Sequence, residues 1–381
     1  MLKTLILAPI LLPWAGALLI LLVRARQPRL IQTLATLFSL GGALAVVALF
    51  GFVSSEAPLS ITLGSAFGRM SFTPDGLALY LAAIATIIGT LAVIFSTEYM
   101  HNERDLRRYY ALVLFFIGSM SGLVLSSSLL FMFFFWEITA FCSYALISFH
   151  NDDPRAVYGG IKALVITSLG GVGLLIGSML AINQFGDDQI GTFLLRSNEL
   201  PANTLSFIAF AFLAAAAAKS AQIPFHTWLP DAMEAPTPVS ALIHAATMVN
   251  AGVYLLARFY PAFHNVPGWT MTLILMGCLT SLSAALMALL ASDLKRVLAY
   301  STISQLGFMV YAIGIGAIYA SQLHLLSHAI FKALLFLGAG AIIHVTGTRD
   351  LEQMGQLSRR MPWVTATFLI GAFALAGLPF T

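Results

Sequence analysis

Long apolar stretches dominate this chain and restrict what it can fold into. A helix needs about 20 apolar residues to cross the roughly 30 Å hydrocarbon core of a bilayer. Of the 381 residues, 59% are hydrophobic and 9% are charged, against roughly 25% charged in soluble domains. The sequence therefore predicts an all-α, polytopic bundle of about 12 transmembrane spans, at 5–22, 30–53, 77–97, 109–125, 129–149, 158–183, 204–222, 237–259, 269–291, 297–319, 322–346 and 363–380.

Lysine and arginine residues are distributed unevenly between the two sides of this predicted bundle. Loops that follow odd-numbered spans carry twelve of them, and the opposite loops carry four. Because basic loop residues favour the cytoplasmic side, we predict a multi-pass protein of a bacterial or archaeal plasma (inner) membrane with its N-terminus outside. The basic residues do not cluster on one soluble surface, so the sequence does not predict a nucleic-acid partner.

Ionisable side chains also occur within the predicted spans. Such residues cost several kcal/mol at bilayer depth, so they usually face protein or water and mark ion pathways. In HLLSHAIFK, His324, His328 and Lys332 recur every four residues and share one helical face over roughly 12 Å. Titratable groups stacked in this way can pass protons through intervening water, so the face predicts a proton relay. The other intramembrane candidates are Glu137, Lys162, Lys219, His244 and His344.

Structural roles compete with this interpretation. Glu137 and Lys219 could form an ion pair that holds two spans together, although buried pairs often fail to offset their desolvation. A single intramembrane histidine, such as His344 or His226, more often bonds to a neighbouring helix than moves protons.

Four prolines interrupt the segment KSAQIPFHTWLPDAMEAPTPVSALIH, and they cannot all lie inside one continuous helix. They are Pro224, Pro230, Pro236 and Pro238. We therefore predict a broken helix near Lys219, over residues 219–238. Non-helical backbone at membrane depth persists only where protein or water satisfies it, so the segment is expected to line an internal cavity. Asp231 and Glu234 could hold water there, cap a helix, or lie in a cytoplasmic loop.

A short repeat accompanies this break. AQIPF at 221–225 reappears as AGLPF at 376–380, in predicted spans seven and twelve. An odd separation makes the two copies cross the bilayer in opposite directions, as in inverted-topology repeats whose broken helices meet at a transport site. We predict a second break near 376–381 and three regions: N-terminal helices over 1–107, a first repeat over 108–265 and a second over 266–381.

Five segments together resemble the antiporter-like subunits shared by respiratory complex I, Mrp-type Na⁺/H⁺ antiporters and membrane-bound hydrogenases. They are PDGLALY, FFWEITAFCSYALISF, AKSAQIPFHTWLPDAMEAPTPVSALIHAATMVNAGVYLLARF, DLKRVLAYSTISQLGFM and HLLSHAIFKALLFLGAGAI. Within that family the chain is similar to the large A-type subunit of Mrp antiporters and to complex I subunit L (subunit 5). DAMEAPTPVSA, ITSLGGVGLL and HVTGTRDLEQMG favour the Mrp branch.

The resemblance implies roles for individual residues. It implies that Glu137 pairs with Lys219, and that changes in their separation load and release a proton, while Lys162 competes for Glu137. His244 would connect the input side to the centre, and the predicted relay would continue the path along the membrane plane. Lys295 matches a family lysine as well, although a surface anchor for the basic side is an equal alternative.

The resemblance also implies H⁺, and in the Mrp branch Na⁺, as the transported ion, and membrane subunits of a hetero-oligomeric complex as partners. The alternatives are a complex I proton-pump module or related hydrogenase subunit, and a structural scaffold without transport. In the family the chain continues past the second broken helix into a motif of the type G-F-x-S-K, so we expect this sequence, which ends at Thr381, to be part of a longer chain.

No redox centre is expected in this chain. It carries no Rossmann glycine pattern, and its two cysteines, Cys142 and Cys278, lie in separate predicted spans. We therefore predict no cofactor and no metal site. Any electron transfer would be carried out by partners, and whether the assembly is an enzyme stays open.

Overall fold

The computed structural model is a helical bundle whose helices follow the apolar stretches of the sequence. It describes residues 2–24, 27–52, 61–65, 68–101 and 103–378. Within this part of the chain, ten helices are long and apolar enough to cross a membrane, and two shorter apolar helices flank them. In chain order the twelve are α1 Ala8–Leu22, α2 Pro28–Phe50, α3 Gly76–Tyr99, α4 Leu106–Leu125, α5 Leu129–Ile147, α6 Pro154–Phe185, α7 Ala202–Lys219, α8 Thr237–Phe263, α9 Trp269–Leu290, α10 Leu294–Gly314, α11 Ile318–Thr346 and α12 Pro362–Leu375.

The predicted helical membrane bundle of about 12 spans is confirmed. Each predicted span corresponds to one of these helices. The second predicted break, near 376–381, extends beyond the described residues: α12 ends at Leu375, and residues 379–381 are not described.

Short polar side chains mark where several helices begin. The Asp75 side chain accepts a hydrogen bond from the backbone N–H of Ala78 at the start of α3, and Ser128 does the same for Phe131 at the start of α5. Asp293 caps α10 in this way. A side-chain acceptor at this position satisfies one of the N–H groups that the first helical turn leaves unpaired.

A two-stranded antiparallel sheet lies between α2 and α3 and was not predicted. Its strands are β1 Ile61–Ser65 and β2 Gly68–Phe72. Five-residue strands beside long apolar helices give too weak an alternation to be recognised from sequence. Phe72 pairs with Ser126, and Ser128 pairs with Gln189, through further antiparallel bridges. Backbone hydrogen bonds thus join the loops that follow α2, α4 and α6 at one end of the bundle.

The loops that follow odd-numbered helices lie at the other end, which we call the arginine-rich face. It carries Arg155, Arg296 and Arg349, among others. Ion pairs connect several of its loops and helix ends, and an antiparallel backbone bridge joins Asp293 to Asp350.

Helix α8 lies at the centre of the bundle. The whole of its most apolar window is buried, whereas only 28% of the corresponding window of α9 is buried. Residues Ala241–Ala246 form a π-helical turn, and Thr247 then leaves helical geometry at φ −134° and ψ −93°. Such turns interrupt the regular backbone hydrogen bonds of a helix. The most protected helix is therefore also irregular in the middle.

Helices α9 and α10 pack backbone against backbone through two glycines. A Cβ atom added to Gly277 would lie 2.7 Å from the carbonyl oxygen of Gly307, and one added to Gly307 would lie 2.8 Å from the carbonyl of Gly277. Small residues allow this close approach, which is a common way for membrane helices to associate.

We expect Gly277→Ala to destabilise the bundle by about 1–3 kcal/mol, because the new methyl group meets backbone atoms that cannot rotate away. The loss would be measured as a lower Tm of the purified protein in detergent. Gly191→Ala is the matched control, since a Cβ there meets nothing within 4 Å. A Tm that falls equally in both variants would contradict the proposed close packing.

Candidate functional site

The predicted break follows Lys219, where α7 ends. Three short helical turns, Phe225–Thr227, Trp228–Asp231 and Ala232–Glu234, connect it to α8. The Trp228 indole N–H donates to the carbonyl of Ala218 at 3.0 Å, so a backbone group freed at the end of α7 is bound by protein. The non-helical backbone is therefore enclosed, as membrane depth requires.

The four prolines lie along this connection at positions that a proline tolerates. Pro224 follows a cis peptide bond, and Pro230 lies in a single short turn. Pro236 precedes α8, and Pro238 falls in its first turn, where a missing N–H leaves no helical hydrogen bond unmade.

Lys219 is completely buried against α5. Its ammonium donates to the carbonyl of Trp136 at 2.7 Å and to Thr139 Oγ1 at 2.8 Å. It also lies 4.1 Å from the centre of the Trp136 ring, within the range of a cation–π interaction. The acceptors of this lysine therefore flank Glu137 on both sides in sequence.

Glu137 contacts α6. Its Oε2 accepts a hydrogen bond of 2.8 Å from Ser168, and its Oε1 is buried without a hydrogen-bond partner among the described residues. Gly171 makes room for this carboxylate, because a Cβ there would collide with Oε1. The charges of Glu137 and Lys219 act on each other, but the two side chains form no direct ion pair in the described structure. This differs from the paired arrangement that the resemblance implies.

Lys162 is also placed differently from the sequence-based expectation. Its ammonium pairs with Asp231 Oδ2 at 2.7 Å instead of approaching Glu137. Arg296 reaches the other carboxylate oxygen of Asp231 at 3.5 Å. The reason is geometric: Lys162 precedes Ser168 by six residues on α6, or about 9 Å of helical rise, and lies nearer the arginine-rich face.

His244 lies within the π-helical turn of α8 and is completely buried. Neither ring nitrogen has a hydrogen-bond partner in the described part of the chain. Its ring is 6.0 Å from that of Trp228 and 6.2 Å from that of Phe336. The positive charge of Lys295 acts on it.

Lys295 is buried rather than displayed at the surface. Only 3% of the residue is exposed, and its ammonium donates to the carbonyl of Ala235 at 2.6 Å. A surface anchor would extend into solvent, so this alternative does not describe the observed position.

His324, His328 and Lys332 share one face of α11, directed at α10. His324 hydrogen-bonds Gln305 at 2.5 Å, and Lys332 donates to Ser301 at 2.5 Å. His328 is completely buried between them, and both of its nitrogens lack a partner among the described residues. An unpartnered buried polar group costs about 1–3 kcal/mol, so the burial of His328 is unfavourable unless a partner such as water binds its ring.

One charged cluster at the arginine-rich face was not predicted. Arg349 donates two hydrogen bonds to the carboxylate of Glu234, at 2.8 and 3.0 Å, and a third to Asp293 at 2.8 Å. Burial disfavours the charged form of Arg349, but the hydrogen bonds to Glu234 and the two carboxylate charges raise its pKa above the ordinary value. The three residues are distant in sequence, so no local pattern could have revealed the cluster.

No group of three or more metal-ligating side chains occurs within the ranges that the structure describes. Cys142 is buried and Cys278 is exposed, and neither is bonded to the other.

Comparison with known proteins gives consistent matches. The family profile described as "NADH:quinone oxidoreductase/Mrp antiporter, TM" matches residues 126–381, and that described as "NADH-Ubiquinone oxidoreductase (complex I), chain 5 N-terminus" matches 61–110. The chain is 41% identical over 323 residues to the A1 subunit of the Na(+)/H(+) antiporter of Staphylococcus haemolyticus, covering 80% of this chain and 40% of that relative.

It is 42% identical over 331 residues to NAD(P)H-quinone oxidoreductase chain 5 of Synechocystis sp., covering 83% of this chain and 49% of the relative. A third relative, F(420)H(2) dehydrogenase subunit L of Methanosarcina mazei, is 42% identical over 330 residues, with coverage of 80% and 49%. The chain thus spans less than half the length of these three relatives.

Two solved structures share the fold. A chain of the Mrp complex from Dietzia sp. DQ12-45-1b superposes with a TM-score of 0.90 and 34% identity, covering 100% of this chain and 42% of that one. A chain of the membrane-bound sulfane sulfur reductase (MBS), an archaeal respiratory membrane complex, gives a TM-score of 0.89 and 25% identity, with coverage of 99% and 78%.

Proposed function

Because the chain belongs to the NADH:quinone oxidoreductase/Mrp antiporter membrane family, we propose that it is a proton-translocating membrane subunit. The observation that carries the proposal is the fully buried Lys219 at the end of the broken helix α7. A lysine at bilayer depth is costly, so such residues are rare and usually mark ion pathways. The proton affinity of a buried lysine also responds strongly to nearby charge.

The proposed path follows buried titratable groups. Lys219 takes up and releases a proton as its separation from Glu137 changes, and His244 at the centre of α8 connects this pair to the other titratable groups. The face of α11 that carries His324, His328 and Lys332 continues the path. This face is directed at α10, and both ring nitrogens of His328 lack a partner among the described residues. Lys162, held by Asp231, adjusts the electrostatic field on the arginine-rich side.

We propose Na⁺/H⁺ exchange by an Mrp-type assembly, with this chain as part of its large A-type subunit. The match to the Dietzia Mrp structure over the full chain at 34% identity supports this branch. The alternative is a complex I module of the subunit L type, which the 42% identity to a quinone oxidoreductase chain 5 supports equally. A scaffold without transport is favoured by the hydrogen bonds that Lys219 and Lys332 donate to neighbouring helices, two from each ammonium.

The decisive test is transport by the reconstituted complex. We expect an imposed pH gradient across the vesicle membrane to dissipate when Na⁺ is added, as measured by a pH-sensitive dye. Dissipation that does not depend on Na⁺ would favour the complex I alternative. If the complete, assembled complex moves no protons under either condition, the result would favour the scaffold without transport.

The chain is a multi-pass membrane protein, and we extend the proposal to its location and partners. The arginine-rich face would lie on the cytoplasmic side of a bacterial or archaeal plasma membrane, with the N-terminus outside. Exposed leucines on α9, such as Leu275, Leu282 and Leu289, would contact lipid or neighbouring membrane subunits. We also propose that residues 108–265 and 266–381 are two inverted repeats that follow N-terminal helices over 1–107.

A further inference from the structure

A cavity opens at the arginine-rich face. Its volume is about 640 Å³, and the polar side chains that line it include Arg155, Glu234, Asp293, Arg296, Tyr300 and Arg349. The side chain of Glu234 is 19% exposed, so its carboxylate is accessible from the cavity while most of it is enclosed by protein.

Glu234 lines this cavity and is adjacent in sequence to the residue that binds Lys295. The carbonyl of the adjacent residue, Ala235, accepts the hydrogen bond of the Lys295 ammonium at 2.6 Å. Only 3% of Lys295 is exposed, so a proton from the cavity can reach it only through the groups that enclose it. The charges of Glu234, Asp293 and Arg349 all act on Lys295, which in turn acts on His244.

Arg349 binds the carboxylate of Glu234 and also has a second acceptor. Two of its nitrogens contact Glu234, and its Nε contacts Asp293 Oδ2. The guanidinium can therefore release Glu234 and keep a charge-assisted hydrogen bond to Asp293. Both carboxylate oxygens of Glu234 accept hydrogen bonds from Arg349, so the release leaves an oxygen free to take a proton from cavity water.

We propose that Glu234 takes protons from the cavity and passes them to Lys295, and that Arg349 controls when Glu234 can do so. The inference rests on the proposed function. A proton from cavity water binds the Glu234 carboxylate as Arg349 shifts toward Asp293. Once the Lys295 ammonium has passed its own proton onward along the path, the carboxyl O–H gives this proton to the resulting amine, which becomes an ammonium again. The carboxylate then regains Arg349.

The surrounding charges distinguish Glu234 from the other acids at this face. Asp231 pairs with Lys162 and Arg296, and Asp293 also caps the start of α10. Only Glu234 precedes the residue whose carbonyl binds Lys295. The charged groups around it are Arg349 after α11, Asp293, Lys295 and Arg296 at the start of α10, Arg155 on α6, and Asp231 in the preceding turn.

The first experiment compares Glu234→Gln with Glu352→Gln in the complete complex reconstituted into vesicles. Glu352 is an exposed carboxylate in the loop after α11. We expect Glu234→Gln to lower proton transport at least about tenfold in an assembled complex, since an amide cannot carry the proton. Glu352→Gln is expected to transport at the wild-type rate. A wild-type rate in Glu234→Gln would overturn the inference.

The second experiment tests the control by Arg349. Arg349→Gln removes the cation that binds both oxygens of the Glu234 carboxylate, so the pH profile of transport should shift by about one pH unit. Arg296→Gln removes the same charge from the same cavity without contacting Glu234, and it should shift the profile less. Equal shifts in both variants would overturn the role of Arg349.

These results separate the inference from the function on which it rests. If the wild-type complex moves no protons, the proposed function fails. If wild-type transport is present and is lost in Lys219→Ala but not in Glu234→Gln, only the inference fails. If Glu234→Gln does not assemble, Glu234→Asp replaces it in the test. This variant keeps the carboxylate on a shorter side chain, which draws it away from the two Arg349 nitrogens. An unchanged pH profile of transport in Glu234→Asp would then overturn the inference, and a shifted profile would support it.

Discussion

Replacing Lys219 with alanine is expected to lower coupled proton transport by at least about 100-fold, because positioned proton-transfer groups contribute on the order of 10²–10⁴-fold. The change removes the one ammonium that lies between the carbonyl of Trp136 and the hydroxyl of Thr139. Proton flux in vesicles containing the purified complex measures the loss. Subunit composition of the same preparation shows whether the complex is still assembled.

Two further variants separate proton transfer from a purely structural charge. Lys219→Arg keeps a buried cation, but a guanidinium does not release its proton, so transport should remain lost. Arg196→Ala removes an exposed cation that pairs with Glu199 and lies over the ring of Phe185, away from Lys219, and it should transport normally. Wild-type flux in Lys219→Arg would contradict a role that requires Lys219 to lose its proton.

Glu137→Gln is expected to have the second largest effect, again about 100-fold on transport, while assembly stays near normal. The amide is nearly the same shape, and its oxygen can still accept the hydrogen bond from Ser168. It cannot supply the negative charge that acts on Lys219, so the lysine loses the partner that changes its proton affinity. Transport per assembled complex is therefore the quantity to measure.

Glu199→Gln provides the matched control, since Glu199 is an exposed carboxylate that pairs with Arg196. If Glu137 only held two helices together, assembly and transport would fall in proportion in Glu137→Gln. That outcome would favour a purely structural role for Glu137, which the sequence left as an alternative.

The helices were predictable from the sequence because a helix that crosses a bilayer must be both long and apolar. The end of α7 at Lys219 was predicted for a similar reason, since four prolines leave few helical arrangements. The sheet of β1 and β2 was missed because its strands are short and their pairing continues into distant loops. The π-helical turn at Ala241–Ala246 was missed because its sequence is that of an ordinary apolar helix.

The site was predictable where spacing alone defines it. His324, His328 and Lys332 share one face because a helix repeats every 3.6 residues, whatever surrounds it. Contacts between helices were not predictable in this way. The pairing of Lys162 with Asp231 depends on where α6 meets the turns after α7, and the pairing of Glu234 with Arg349 joins residues 115 positions apart. Such pairs follow from packing, which one sequence does not reveal.

The burial of α8 shields the centre of the protein from the surrounding lipid. Other helices insulate its most apolar window completely, so acyl chains do not reach His244 or the irregular turn that holds it. The permittivity around that histidine is consequently set by the amino-acid sequence and not by the host's phospholipids. A cell that changes its lipid composition with temperature can therefore do so without changing the electrostatic environment of His244.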